Sequence, residues 1–525
     1  MRIIMHECAY CRQIYEYFFK QGNIVSKNRF SLDDNLNIFR KFAVAFSLTV
    51  MKKGLNTFLL VLLVVLMLVG MHWLPPFSIG GEGLRQVDLL ADVQADSVET
   101  TDNKDEKPAE PVFVAYEDTV PEGMTPIEDY RDSLGQCREM DAFYAALDSA
   151  GHRTVRIAYF GDSFIEGDIL TAALREQLQS EYGGRGVGFV DIQSAIAGFR
   201  TTVVGMSRGW QEHCAIGSGS TGFNKNLQGI NGRYYIPAPY ASIDMRCQSR
   251  VYAEHLDTVQ RAIVYFTPSD GLTMRCSVNG TDMGEIYTAP DSAENTVEAL
   301  MLKGKIGRIN VGVNGQGRFY GIALEGNKGI VLDCFSMRGS SGYHIGTVPE
   351  KTLQRFRELR KYDLIVLHFG LNMASPTVRT YEPFKRKFKE CVEVYRRLFP
   401  DASLLLVSMN DRDVRESDGK FHTMKGVLDL VETQRTIAQD EHIAFWNLQQ
   451  AMGGEGSMAR LQQEGKANRD YTHINFKGGE VLGKIFFDVL QNGKLNYDLR
   501  LKRNAVHPRT ITVDNEGKLT EETEE

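Results

Sequence analysis

Between residues 131 and 495 the periodicity of the chain changes twice, and this narrows the folds open to it. Helical spacing in DAFYAALDSA (141–150) leads to an apolar run at Val155–Phe160. A second helical stretch, 170–183, ends at glycine. From 335 the same alternation returns: a helix over 351–360, a strand in DLIVLHFG (363–370), a long helix over 383–399, a strand over 402–409 and a closing helix over 478–492. Alternation of this kind predicts a parallel sheet covered by helices on both faces. The stretch 203–334 reads differently. Its apolar runs are short, often alternating, and separated by Gly, Asn, Asp or Pro. That pattern predicts an antiparallel sandwich or jelly roll, large enough to be a domain inserted into the α/β unit.

A chain of 525 residues exceeds one average domain, and its ends have their own character. Residues 55–74 carry no charge, which suffices for a helix crossing a bilayer. Lys52 and Lys53 precede the run, with Arg40 and Lys41 further upstream, so the N-terminus is expected on the cytoplasmic side. Residues 51–76 are read as a transmembrane signal anchor. Met51 resembles a start, so 1–50 are expected to be an over-extended start or a disordered tail. Residues 77–130 are acidic and poor in large apolar side chains, as flexible linkers are, and 496–525 read as a solvated tail.

The net charge of -7, with Lys and Arg spread along the chain, gives no reason to expect a nucleic-acid partner. Cys8 and Cys11 have metal-like spacing, but no second such pair follows, so no metal is expected. Cys214, Cys247, Cys276 and Cys334 leave room for a disulfide that spacing alone does not assign.

The chemistry concentrates at strand ends. Gly161-Asp162-Ser163 follows the strand at 155–160, and ligands of parallel sheets gather at the carboxyl ends of strands. Ser163 is therefore a candidate nucleophile, although the same residue in isolation would equally suit a helix cap. A hydroxyl needs a neighbouring base. Asp470 and His473, just before the closing helix, offer His473 as base and then acid, and Asp470 as the group that fixes its tautomer. Asn372, two residues after Gly370, and Gly342, after the strand GIVLDCFSM, offer N–H donors for an oxyanion beside the N–H of Ser163. Asp162 either tunes the serine loop or satisfies nearby backbone N–H groups. His368 reads as a core histidine, Asn410-Asp411-Arg412 as structural, and Trp210, Tyr234 and Tyr235 as core residues more than sugar-stacking ones.

The four blocks, Gly161-Asp162-Ser163, Gly342, Gly370 with Asn372, and Asp470 with His473, resemble those of the SGNH (GDSL) hydrolases. The longer run from Phe160 to Phe189 is similar to the bacterial peptidoglycan O-acetylesterase branch, in which a carbohydrate-binding-like β-sandwich interrupts the hydrolase. The resemblance covers roughly 135–200 and 335–495. It implies a three-layer α/β/α hydrolase in two parts, 131–202 and 335–495, with no cofactor. One departure stands out: Met373 occupies the position of the usual acid after the asparagine.

The resemblance implies a serine esterase that removes O-acetyl groups from envelope polysaccharide, most readily peptidoglycan, and the run 55–74 is expected to hold it in a bacterial inner membrane with its site in the periplasm. Three other activities are compatible with the same residues: a polysaccharide O-acetyltransferase, a lysophospholipase or thioesterase, and a glycan-binding protein without catalysis.

Overall fold

A computed structural model describes residues 118–130 and 138–505, except 195, 197, 218–220, 249–251 and 379, together with two short strand pairs, Ser78–Ile79 with Glu82–Gly83 and Thr510–Val513 with Leu519–Glu522. The expectations for 1–50, the membrane run 55–74, Cys8, Cys11 and most of the linker lie outside the described residues. Among the described residues no helix is long and apolar enough to cross a membrane.

The parallel sheet has the strand order 329–336, 154–161, 364–368, 403–407, 444–446. Leu364–His368 and Ser403–Val407 are buried at every position, as strands covered on both faces must be. The helices fall into two packed groups. Glu350–Leu359, Glu382–Leu398 and Val427–Asp440 contact one another in sequence, and Thr171–Tyr182 and Asp141–Asp148 each contact Phe476–Ala505.

The boundaries differ from the sequence reading in four places. Gly329–Ser336, read with the antiparallel run, instead pairs in parallel with Thr154–Gly161 as the edge of the hydrolase sheet. An apolar run carries no mark of which sheet it will join. Gly188–Val190, read with the α/β part, pairs with Gly317–Glu325 of the β-rich unit. Residues 118–130 are not linker: Ile127–Glu128 pairs with Ala444–Trp446, and the Trp446 indole N–H donates to the Thr125 carbonyl. The final helix runs on to Ala505, past 495, because Asn496 bonds to Thr119 and Arg500 pairs with Asp118.

The β-rich unit is one hydrogen-bonded antiparallel sheet of ten strands, not two separate sheets. The 15-residue strand Arg233–Cys247 explains this. Its first half pairs with Arg208–Cys214, and its second half pairs with Ile309–Asn314 and Val203–Gly205. Between the halves stand Pro239 and Tyr240, the latter at φ +65°. A strand that bends between two sets of neighbours curls the sheet into a barrel-like form.

The room that spacing left for a disulfide is not used. Cys214, Cys247, Cys276 and Cys334 are free thiols. Each sits on a strand opposite a residue other than cysteine: Arg233, Val203, Val311 and Tyr159 respectively.

The two parts are joined by a buried ion network. Arg360 pairs with Asp333 at 2.6 Å and with Glu325 at 2.7 Å, and all three side chains are fully buried. Arg156 and Arg261 approach Glu325 from its other oxygen, and Tyr265 from the β-rich unit also bonds Arg360. Breaking such a network by removing one partner typically costs about 3–5 kcal/mol.

Candidate active site

Ser163 and His473 are 310 positions apart in sequence, and helix packing brings them together. The helix that begins at Phe476 lies against the segment following the serine turn. At Gly479 an added Cβ would stand 1.8 Å from the Ile169 carbonyl oxygen, so only glycine allows this approach. The result is a direct contact: Ser163 Oγ lies 2.9 Å from His473 Nε2. His473 Nδ1 lies 2.8 Å from Asp470 Oδ2.

Asp470 Oδ1 accepts the backbone N–H groups of Thr472 and His473, each at 3.0 Å. Burial works against the charge on Asp470, but the His473 ring and these two N–H groups outweigh it and hold its carboxyl below the usual range. The carboxylate therefore stays ionised and fixes a proton on Nδ1, leaving Nε2 as the acceptor facing Ser163. The loop is held from behind: Asn410 donates to the Thr472 carbonyl at 3.1 Å, and the Asp413 N–H donates to that of Tyr471. Asp411 accepts from the N–H and hydroxyl of Ser457. Asn410-Asp411-Arg412 thus has the structural place expected of it.

Asp162 ties two blocks together. It accepts from the Phe164 N–H at 3.0 Å and from the backbone N–H groups of Leu371 and Gly370. Burial pushes its carboxyl up to about 7, against the pull of these donors. Gly370 turns at φ +139° with Met409 2.8 Å from where a Cβ would stand, which delivers Asn372 to the strand end.

The sequence assigned the glycine donor to Gly342, and the structure places that N–H elsewhere. Gly342 is buried and donates to Ser340 Oγ at 2.9 Å. Gly339, three residues earlier, is exposed, turns at φ +79°, and its N–H has no hydrogen-bond partner among the described residues. The Met337 N–H donates to the Gly161 carbonyl, and Arg338 pairs with Glu166, so this loop lies against the serine turn. Asn372 Nδ2 donates to the Ser340 carbonyl at 2.9 Å, which leaves the second amide hydrogen for a ligand. Ser340 also bonds His344, whose burial lowers its pKa to about 3. Neither Gly339 nor Ser340 was singled out in sequence. Arg338-Gly339-Ser340-Ser341-Gly342 contains both glycines, and spacing does not choose between them.

His368 is a core residue: it is buried, bonds the Tyr159 hydroxyl at 3.1 Å and packs edge-on against Phe164. Tyr234 and Tyr235 are buried, and Trp210 packs on Phe319. Met373, in place of the acid, makes a backbone bond to Gly370 and packs on the core.

No family model and no curated protein matches the chain. Among solved structures, one described as "Peptidoglycan O-acetylesterase in action" superposes with a TM-score of 0.58 at 19% identity, over 70% of this chain and 99% of its own. The chain has the SGNH-hydrolase fold. Carbohydrate esterases also match, among them a family two enzyme from Cellvibrio japonicus, with a TM-score of 0.23 at 10% identity over 57% of this chain and 98% of its own. Est24, a carbohydrate acetylesterase from Sinorhizobium meliloti, has a TM-score of 0.23 at 12% identity over 31% of this chain and 78% of its own.

Proposed function

We propose that this SGNH-fold protein is a serine esterase that releases acetyl groups from O-acetylated envelope glycan, with peptidoglycan as the first substrate to test. The observation that carries this is the contact chain from Ser163 through His473 to Asp470 at 2.9 and 2.8 Å. In this reading His473 takes the Ser163 proton as the hydroxyl attacks the ester carbonyl. The developing oxyanion meets the N–H groups of Ser163, Gly339 and Asn372. His473 then gives the proton to the sugar oxygen as its bond to the acyl carbon breaks, releasing the sugar hydroxyl, and water resolves the acetyl-enzyme.

Solvent access favours hydrolysis over transfer to a sugar. The Asp470 and His473 side chains are 49% and 31% exposed, so water reaches the base directly. The residues 55–74 support a place at a membrane, with the catalytic part on the periplasmic side, by their uncharged length and flanking lysines.

The test compares acetate released into water with acetyl passed to an added glycan acceptor, and acetyl esters with long-chain esters. The reading expects free acetate and a preference for acetyl. Acetyl appearing on the acceptor, or faster cleavage of long chains, would replace it with the transferase or the lipase activity.

A further inference from the structure

Two cavities lie along the seam between the β-rich unit and the hydrolase part, each lined by a residue close in sequence to a catalytic one. The first, of about 260 Å³, is lined by Glu166, Asp191, Ser336 and Arg233 among others. Glu166 stands three residues after Ser163. The second, of about 470 Å³, is lined by Ile169, Gln248, Tyr252, Phe476 and Glu480. Phe476 stands three residues after His473. Arg200 lines both. Between Gly198 and Arg200, which both line the second cavity, stands Phe199, 48% exposed, with its ring centroid 5.1 Å from that of Phe476. Its position depends on Gly167, where a Cβ would come within 2.8 Å of the Phe199 ring. Large exposed aromatic rings beside a cleft mark binding surfaces.

Charge and lining decide the ligand. Arg200 pairs with Asp168 at 2.8 Å and shares it with Arg175, while Arg233 meets both Asp191 at 3.3 Å and Glu212 at 2.5 Å, so the three arginines face three carboxylates. The cations are already matched, so the cavities do not select an anion. An acyl chain would strip water from Arg200, Gln248 and Glu480 without replacing their hydrogen bonds. A sugar ring suits both demands, with C–H groups on one face for aromatic rings and hydroxyls for paired charges.

We infer that Phe199, Phe476 and Arg200 form a subsite for a neutral glycan chain that runs along this seam and presents its ester to Ser163. This deepens the esterase reading and rests on it for the position of the ester, but the binding itself does not require turnover.

The experiment measures co-sedimentation of the full-length chain with chemically de-O-acetylated peptidoglycan sacculi, and, in parallel, kcat/KM on p-nitrophenyl acetate. Phe199→Ala is expected to weaken sacculus binding about tenfold, with small-ester turnover within about twofold of wild type. Phe199→Tyr, which keeps the ring, is expected to bind as wild type does. Unchanged binding by Phe199→Ala, a parallel fall in small-ester turnover, a loss confined to long-chain esters, or no binding by the wild-type chain would each overturn the subsite. If sacculi bind through Phe199 but no ester is cleaved, the esterase reading fails and the subsite stands.

Discussion

The carbonyl oxygen of Ile169 lies 1.8 Å from the point where a Cβ on Gly479 would stand. Ile169 follows the serine turn and Gly479 opens the helix that follows His473, so this contact sets the distance between nucleophile and base. Gly479→Ala must push the helix away. Displacement of a catalytic group by about 1 Å can cost on the order of 100-fold in rate. The expected outcome is a large fall in kcat with a lowered Tm, measured by ester turnover and thermal unfolding. A variant with wild-type kcat would show that the helix does not position His473.

Asn372 keeps one amide hydrogen for the reaction after bonding Ser340. Asn372→Ala is expected to lower kcat by about 10²–10³-fold, roughly 3–4 kcal/mol of barrier, with little change in KM. An amide-to-ester exchange at Gly339, which removes the free N–H and leaves φ +79° accessible as proline would not, is expected to lower kcat, and it serves to separate Gly339 from Gly342. Steady-state kinetics on an acetyl ester reads both.

Asp162 carries its proton until about pH 7 and receives three backbone N–H groups in its ionised form. Its folded pKa is raised above 3.8, so its burial penalises the folded state increasingly as pH rises from about 4 to 7, and the three donors are best matched above that range. Asp162→Asn replaces the carboxylate with an amide that retains one acceptor. It is expected to loosen the Gly370–Asn372 turn and lower kcat, and to remove the contribution of this group from the pH dependence of stability, as followed by chemical denaturation across pH.

Glu325 shows the opposite sign. Burial opposes its charge, and Arg360, Arg156 and Arg261 more than offset this, holding its folded pKa at about 2 against 4.5 unfolded. Its ion pairs therefore stabilise in full above about pH 4.5 and lose that contribution as pH falls toward 2. Glu325→Gln leaves Arg360 paired only with Asp333 and is expected to destabilise by about 3–5 kcal/mol at neutral pH, with a smaller deficit in acid. Denaturant unfolding at both pH values measures it.

Much of this was readable in sequence. Buried runs such as DLIVLHFG, alternating with helices, announced the parallel sheet, and His473 contacts Ser163 on one side and Asp470 on the other. What escaped were choices that depend on distant partners. Gly329–Ser336 is equally apolar in either sheet and becomes a hydrolase strand only by pairing with Thr154–Gly161. Gly342 and Gly339 are alike in sequence, and the Ser340 hydroxyl, which takes the Gly342 N–H, distinguishes them. The role of Arg360 depends on Glu325 and Asp333 closing around it from two units.

The most direct measurement is acetate release from O-acetylated peptidoglycan by the full-length chain and by Ser163→Ala. Removing a nucleophile of this kind typically costs on the order of 10⁴–10⁶-fold in kcat. The expected result is steady acetate release by the wild type and none above background by Ser163→Ala, with equal thermal stability. Acetate release at comparable rates by both proteins would contradict the assignment of Ser163 as the nucleophile.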